Sequence, residues 1–170
     1  MSSQPFFHKQ SFGATHEGHL HREKGGGGTA AGHKRLFLPP HYPDTPLFRK
    51  TVATYHALHR KMDGQIGAVV DGLREDGLLE DTFVFYFGDH GGVLPRSKGY
   101  VYETGLHIPL VMRIPANFKH LVDLKRGTRA GGFVSFIDFG TTLLHLAGVE
   151  VPKAMDGMPF LGPDISPAQL

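Results

Sequence analysis

One stretch, FVFYFGDHGGVLPRSKGYVYETGLHIPLVM (Phe83–Met112), holds the residues best suited to chemistry. An apolar run ends at Asp89 and His90, passes Gly91 and Gly92, and meets Lys98 before a second apolar run begins. A carboxylate and an imidazole side by side, just past a rigid strand, can ligate one cation. In open α/β sheets, ligands sit in the crevice beyond such strand ends. The two glycines let the backbone turn tightly with no Cβ penalty. Lys98 then supplies a compact positive charge that a short loop folds back beside the metal. A metal and a lysine together hold a tetrahedral oxyanion such as sulfate or phosphate. The plainer alternative makes Asp89 a turn former and Lys98 a solvated charge. His16 follows FGAT at the end of a first predicted strand. In one sheet with the later strand it would emerge at the same edge as Asp89, to bind an ester oxygen or protonate a leaving group. Its alternative is a surface histidine in a His-rich loop.

These residues need elements to position them. Pro5–His16 reads as a strand leading into a polar turn. Residues 17–46 are rich in His, Gly and Pro and read as one long loop, with Gly25–Gly28 consecutive and too far from a helix start to cradle phosphate. Between Leu47 and Asp76, Tyr55, Leu58, Met62, Ile66, Val69 and Leu73 recur at three and four, which predicts the strongest helix. Asp44 or Thr45 caps its start, Pro46 fills the first turn and Gly77 ends it. Thr82–Phe87 is apolar on both faces, as a covered parallel strand would be. Val101–Tyr102 and Ile108–Arg113 read as extended, and residues 119–132 as a polar excursion. A second helix lies within GGFVSFIDFGTTLLHLAGVEVP, with Ser135 and Asp138 as a capping box and Gly148 as its stop. Residues 149–170 form a closing loop. Strand and helix alternation points to an α/β domain with a mainly parallel sheet.

Composition removes several function classes. The 170 residues contain no cysteine, hence no disulfide and no thiolate nucleophile. Bases are scattered, so a pI near 8.9 makes no case for nucleic acid. No run is long and apolar enough to span a membrane, and MSSQPFFHKQSFG lacks the apolar core of a secretory signal. Twelve histidines invite a zinc site. In HEGHLH, however, His19 falls one residue too early for the His-Glu-x-x-His pattern, and His56 and His59 lie on a helix with a strong core stripe.

FGDHGGVLPRSKGYVYETGLHIPLVMRIP resembles a conserved block of the sulfatases, in the alkaline phosphatase superfamily. There an apolar strand leads to Asp with Asn or His, then glycine, Lys-Gly, Tyr-Glu-x-Gly and a second strand after proline. PFFHKQSFGATHEGHL is similar to the family strand that ends in an active-site histidine. The helix segment from Tyr55 and the MDG turn near the end follow in the family's order. The resemblance implies an α/β fold, a partial alkaline-phosphatase-like sandwich with a mainly parallel sheet flanked by helices. It implies a sulfuric ester hydrolase acting on sulfated sugars or small sulfated molecules. Asp89 and His90 would be metal ligands, with Lys98 and His16 on the sulfate. Glu103 and Gly105 would shape the return strand; His107, where the family often has arginine, is assigned no role. The family's usual metal is calcium. His90, in place of the commoner asparagine, also admits manganese or another transition ion.

The family's nucleophile is a formylglycine made from Cys or Ser in a Cys/Ser-x-Pro-x-Arg motif, and an Asp-Asp pair supplies further metal ligands. Neither is found here; Ser166-Pro167 lacks the spacing and the arginine. The expectation is therefore a partial catalytic domain over residues 1–170, inactive alone, whose partner is the missing N-terminal half-domain. It would be a fragment of a longer product, a piece of a split gene, or a short protein that has lost catalysis. The non-catalytic alternative is a metal- or sugar-binding remnant. Another is a phosphonate or phosphodiester hydrolase of the same superfamily, which shares the Asp-His pair. Sulfatases commonly work in secretory, periplasmic or lysosomal space, but these residues assign no compartment.

Overall fold

The longest element shows how local sequence sets structure in this computed structural model, which describes residues 4–22 and 36–165. After a short helix α1 (Glu17–Arg22), α2 runs from Pro46 to Glu75. Thr45 caps α2: its Oγ1 accepts the Phe48 N–H at 3.2 Å, satisfying one of the donors that a helix start leaves open. Asp44 instead grips Arg49 through two hydrogen bonds of 2.5 and 2.8 Å. Gly77, at φ +71°, turns the chain out of the helix. Val52, Thr54, Leu58 and Met62 are buried, whereas Ile66, Val69 and Leu73 are only half-buried. The apolar stripe is therefore fully covered only in its first half.

Strands β1 (Val84–Phe87) and β2 (Leu110–Arg113) pair as the two-stranded sheet found among the described residues. The Gly88 N–H donates to the Pro109 carbonyl at 3.2 Å. With residue 88 facing 109 and 84–87 facing 110–113, the strands run antiparallel. This differs from the parallel pairing read from the sequence. The connection between them holds only the one-turn helix α3 (Glu103–Leu106) and doubles back on itself, so it makes a hairpin-like return instead of a crossover. Val101 and Tyr102 form no strand; Tyr102 is the extended residue before α3. Pro5–His16 also forms no strand. Its backbone has no ladder partner among the described residues, and Phe6 and Phe7 are exposed. The segment read as loop from residue 17 opens with α1, while Gly25–Gly28 and Ser166-Pro167 lie outside the described residues.

The chain divides into two compact units. In the first, Met1–Glu75 with Tyr86–Leu110, Met62 of α2 is a shared anchor: its sulfur lies 3.8 Å from Thr15 Oγ1 and 4.0 Å from the Tyr86 hydroxyl. The second unit comprises Asp76–Phe85 and Val111–Leu170. There Arg113 ties the turn at Leu79–Asp81, donating to the Leu79 carbonyl at 2.6 Å and to Glu80 at 2.7 Å. The Ala116 N–H and Arg113, in that order, hold the Glu80 carboxyl below its usual range.

Helix α4 (Ile137–Leu146) completes this unit. The Asp138 carboxylate accepts the Ser135 N–H at 2.8 Å, the backward half of a capping box. Its other oxygen accepts the Met158 N–H at 2.9 Å, clipping the closing segment to the helix start. Thr142, 1% exposed, donates its hydroxyl to the Asp138 carbonyl and accepts the Phe160 N–H at 3.0 Å. Phe160 and Leu161 are buried beside it, and Phe139 stacks edge-on against Phe160 at 5.4 Å. Thr142→Val keeps the shape but leaves the buried Phe160 N–H without its acceptor. The expected loss is about 1–3 kcal/mol, read as a lower midpoint in urea unfolding.

Candidate functional site

The segment after β1 is a closed loop. Gly91 N–H donates to the Gly105 carbonyl at 3.1 Å, and Lys98 N–H to the Gly92 carbonyl at 2.9 Å. Ser97, buried, donates its hydroxyl to the Thr104 carbonyl at 2.5 Å, and Thr104 donates back to the Arg96 carbonyl. Gly91 and Gly105 are the closest points of this weave. A Cβ on Gly91 would collide with the Thr104 carbonyl, and one on Gly105 with the Tyr100 and Ser97 carbonyls. Tyr55 of α2 supports the loop from below, with its hydroxyl against Gly92; burial raises that phenol above its ordinary pKa. The Tyr42 hydroxyl reaches the Pro95 carbonyl at 3.0 Å. Lys98 is thereby carried by a braced frame.

The lysine ammonium lies 2.5 Å from Glu17 Oε2, across 81 residues of sequence. Glu17 is the first residue of α1 and directly follows His16. Its carboxyl is held below the usual range first by the Lys98 hydrogen bond, against a smaller effect of burial, with further help from Lys98, His16 and His90 as nearby charges. Lys98, His16 and His90 thus all bear on this one carboxylate, which the sequence patterns had offered only as part of a failed zinc motif. Its adjacency to His16 was the available signal.

The backbone sets the two imidazoles in opposite tautomers. His16 Nδ1 accepts the Gly18 N–H at 3.1 Å, so in the neutral ring the proton sits on Nε2. His90 Nδ1 lies 2.7 Å from the Gly91 carbonyl, which can only accept, so Nδ1 carries the proton and Nε2 offers a lone pair. That Nε2 faces Asp89 Oδ2 at 3.7 Å. Donors placed about 2.1–2.5 Å from one cation and roughly at right angles stand about 3–3.5 Å apart, so the pair at 3.7 Å comes within a slight side-chain adjustment of one edge of a coordination shell. The carbonyl partner behind His90 is the orienting contact that metal-binding histidines use. Asp89, with a side chain 85% exposed, keeps its carboxylate open to a ligand. Among the described residues, no group of three His, Asp or Glu side chains gathers as a metal site. His107 turns away to Glu103, at 2.7 Å.

Residues 1–149 match the sulfatase family. This chain is a sulfatase family member. Among curated relatives it is 39% identical over 125 residues to an ulvan-active sulfatase of Formosa agariphila, covering 74% of this chain and 20% of that protein. It is 31% identical over 116 residues to arylsulfatase K of Xenopus laevis, covering 64% and 20%. With human N-sulphoglucosamine sulphohydrolase it shares 28% over 118 residues, covering 69% and 22%. This sulfatase chain spans about a fifth of the length of these relatives.

Proposed function

We propose that the chain forms part of the ester-binding centre of a sulfuric ester hydrolase that acts on sulfated sugars. The observation that carries this is the pair of opposite imidazole tautomers near the carboxylate that Lys98 holds. His16 presents an N–H donor suited to an ester oxygen, and His90 presents a lone pair, with the Asp89 carboxylate, suited to a cation. Lys98 keeps donors free after serving Glu17, since an ammonium has three. A divalent cation held by Asp89 and His90, calcium or a transition ion, would supply Lewis-acid stabilisation of sulfate oxygens. The relative named for N-sulphoglucosamine supports a sugar as the substrate class. In this reading β1 and β2 belong to a wider, mainly parallel sheet, and the formylglycine and remaining cation ligands are contributed from outside these 170 residues.

Two outcomes test the proposal. Calcium titrated into the labelled chain is expected to shift the amides around residues 89–91, manganese to broaden them, and Asp89→Ala is expected to abolish both effects. Identical titrations for both proteins would remove the metal assignment. The 170-residue chain alone is expected to release no 4-nitrophenol from 4-nitrophenyl sulfate, because it contains no cysteine and no Cys/Ser-x-Pro-x-Arg nucleophile motif. Steady release, lost in Asp89→Ala, would show that a nucleophile of another kind operates here.

A further inference from the structure

The ester-binding residues face a negative charge that binding an anion does not require. Glu17 cancels the charge of Lys98 at 2.5 Å, and its side chain is 40% exposed, so an approaching ligand meets it. The Lys98 hydrogen bond, before any other cause, holds this carboxyl below its usual range. An oxyanion that takes the remaining Lys98 donors must therefore settle beside a carboxylate. The cost of doing so depends on the ligand's charge. A sulfate monoester carries one negative charge throughout the ordinary pH range. A phosphate monoester, with a second pKa near 6, carries two at pH 8.

We propose that Glu17 is a specificity-determining residue, a charge filter that admits singly charged oxyanion esters and rejects doubly charged ones. The filter rests on the reading of Lys98 and His16 as ester-binding groups. The Glu17–Lys98 pair is neutral as a unit. It offers N–H donors for hydrogen bonds but no net charge to offset a second negative charge on the ligand. One unit charge a few ångströms away, partly exposed to solvent, is worth on the order of tenfold in affinity. A carboxylate that merely braced the loop would weaken all ligands alike when removed.

The test uses the full chain, labelled for NMR, titrated at pH 8 with phenyl sulfate, phenyl phosphate and methyl phenyl phosphate. The third ligand has phosphorus chemistry but a single charge. In the unaltered protein, phenyl sulfate and methyl phenyl phosphate are expected to bind alike, with phenyl phosphate about tenfold weaker. Glu17→Gln is expected to close that gap, and Glu17→Asp to keep it. The proposal fails if Glu17→Gln changes all three affinities by one factor or none of them. It also fails if methyl phenyl phosphate binds as poorly as phenyl phosphate, a result that needs no variant to fold. Absence of saturable phenyl sulfate binding in the unaltered chain would sink the ester-site reading and the filter with it. Sound phenyl sulfate binding without charge discrimination would sink the filter alone.

Discussion

Gly105→Ala is expected to destabilise the chain by about 3 kcal/mol, the upper part of the usual range for overpacking. The added methyl would sit against the Tyr100 carbonyl and 2.7 Å from the Ser97 carbonyl. Both are backbone atoms of the braced loop and cannot swing aside as a flexible side chain would. Gly91→Ala should act the same way, since its Cβ would lie 2.6 Å from both Gly105 Cα and Ser97 Oγ. The two glycines are coupled through the Gly91–Gly105 hydrogen bond, so the double variant should cost less than the sum of the singles. Gly67→Ala, on α2, is the control. Nothing lies within 4 Å of its added Cβ, and alanine is the better helix former by roughly 1 kcal/mol, so this variant should gain stability. Urea unfolding of these variants beside the unaltered chain decides the matter. Equal midpoints for Gly105→Ala and Gly67→Ala would mean that the loop is not packed as described.

The same loop shows where sequence reasoning ends. Thr45, Pro46 and Gly77 bracket α2 because capping, proline placement and a left-handed stop are all decided within a few residues. Asp138 could be read as half of a capping box for the same reason, but its second bond, to Met158, spans twenty residues and no spacing rule reports it. Pro5–His16 illustrates the reverse error. Its residues favour extended backbone, yet a strand exists only when another strand supplies the ladder, and none among the described residues does. The antiparallel pairing of β1 and β2 was hidden likewise. Apolar faces reveal that strands are covered, and the direction of pairing follows from a connection whose hydrogen bonds fold it back.

The candidate site was legible as residue types and opaque as an arrangement. Asp89, His90 and Lys98 stand close in sequence, and a metal-plus-lysine reading follows from that closeness alone. The tautomers do not, because they depend on which backbone group each Nδ1 meets: an N–H at Gly18 for His16, a carbonyl at Gly91 for His90. Glu17 went unread because its partner is 81 residues away. Electrostatic partners at such distances are set by how α1 and the loop come together within the first unit, not by any local pattern.

Lys98→Ala is expected to weaken phenyl sulfate binding by between about tenfold and a hundredfold, the range for losing a hydrogen bond to a charged group. Lys98→Arg should recover little, because a planar guanidinium would have to serve Glu17 and the ester with a fixed fork where an ammonium directs its donors independently. A second readout separates this loss from simple damage to the loop. Glu17 loses the bond that does most to depress its carboxyl, so that group should titrate closer to the ordinary range in Lys98→Ala. A carboxyl depressed in the folded state adds stability above its unfolded pKa and loses it as pH falls through the folded value. The unaltered chain should therefore shed this contribution on acidification, and Lys98→Ala should have less of it to shed. Unfolding midpoints compared at neutral and acid pH should converge for the two proteins as pH falls. If the gap instead stays constant across that range, the lysine stabilises the loop by packing, and its bond to Glu17 contributes nothing to the fold.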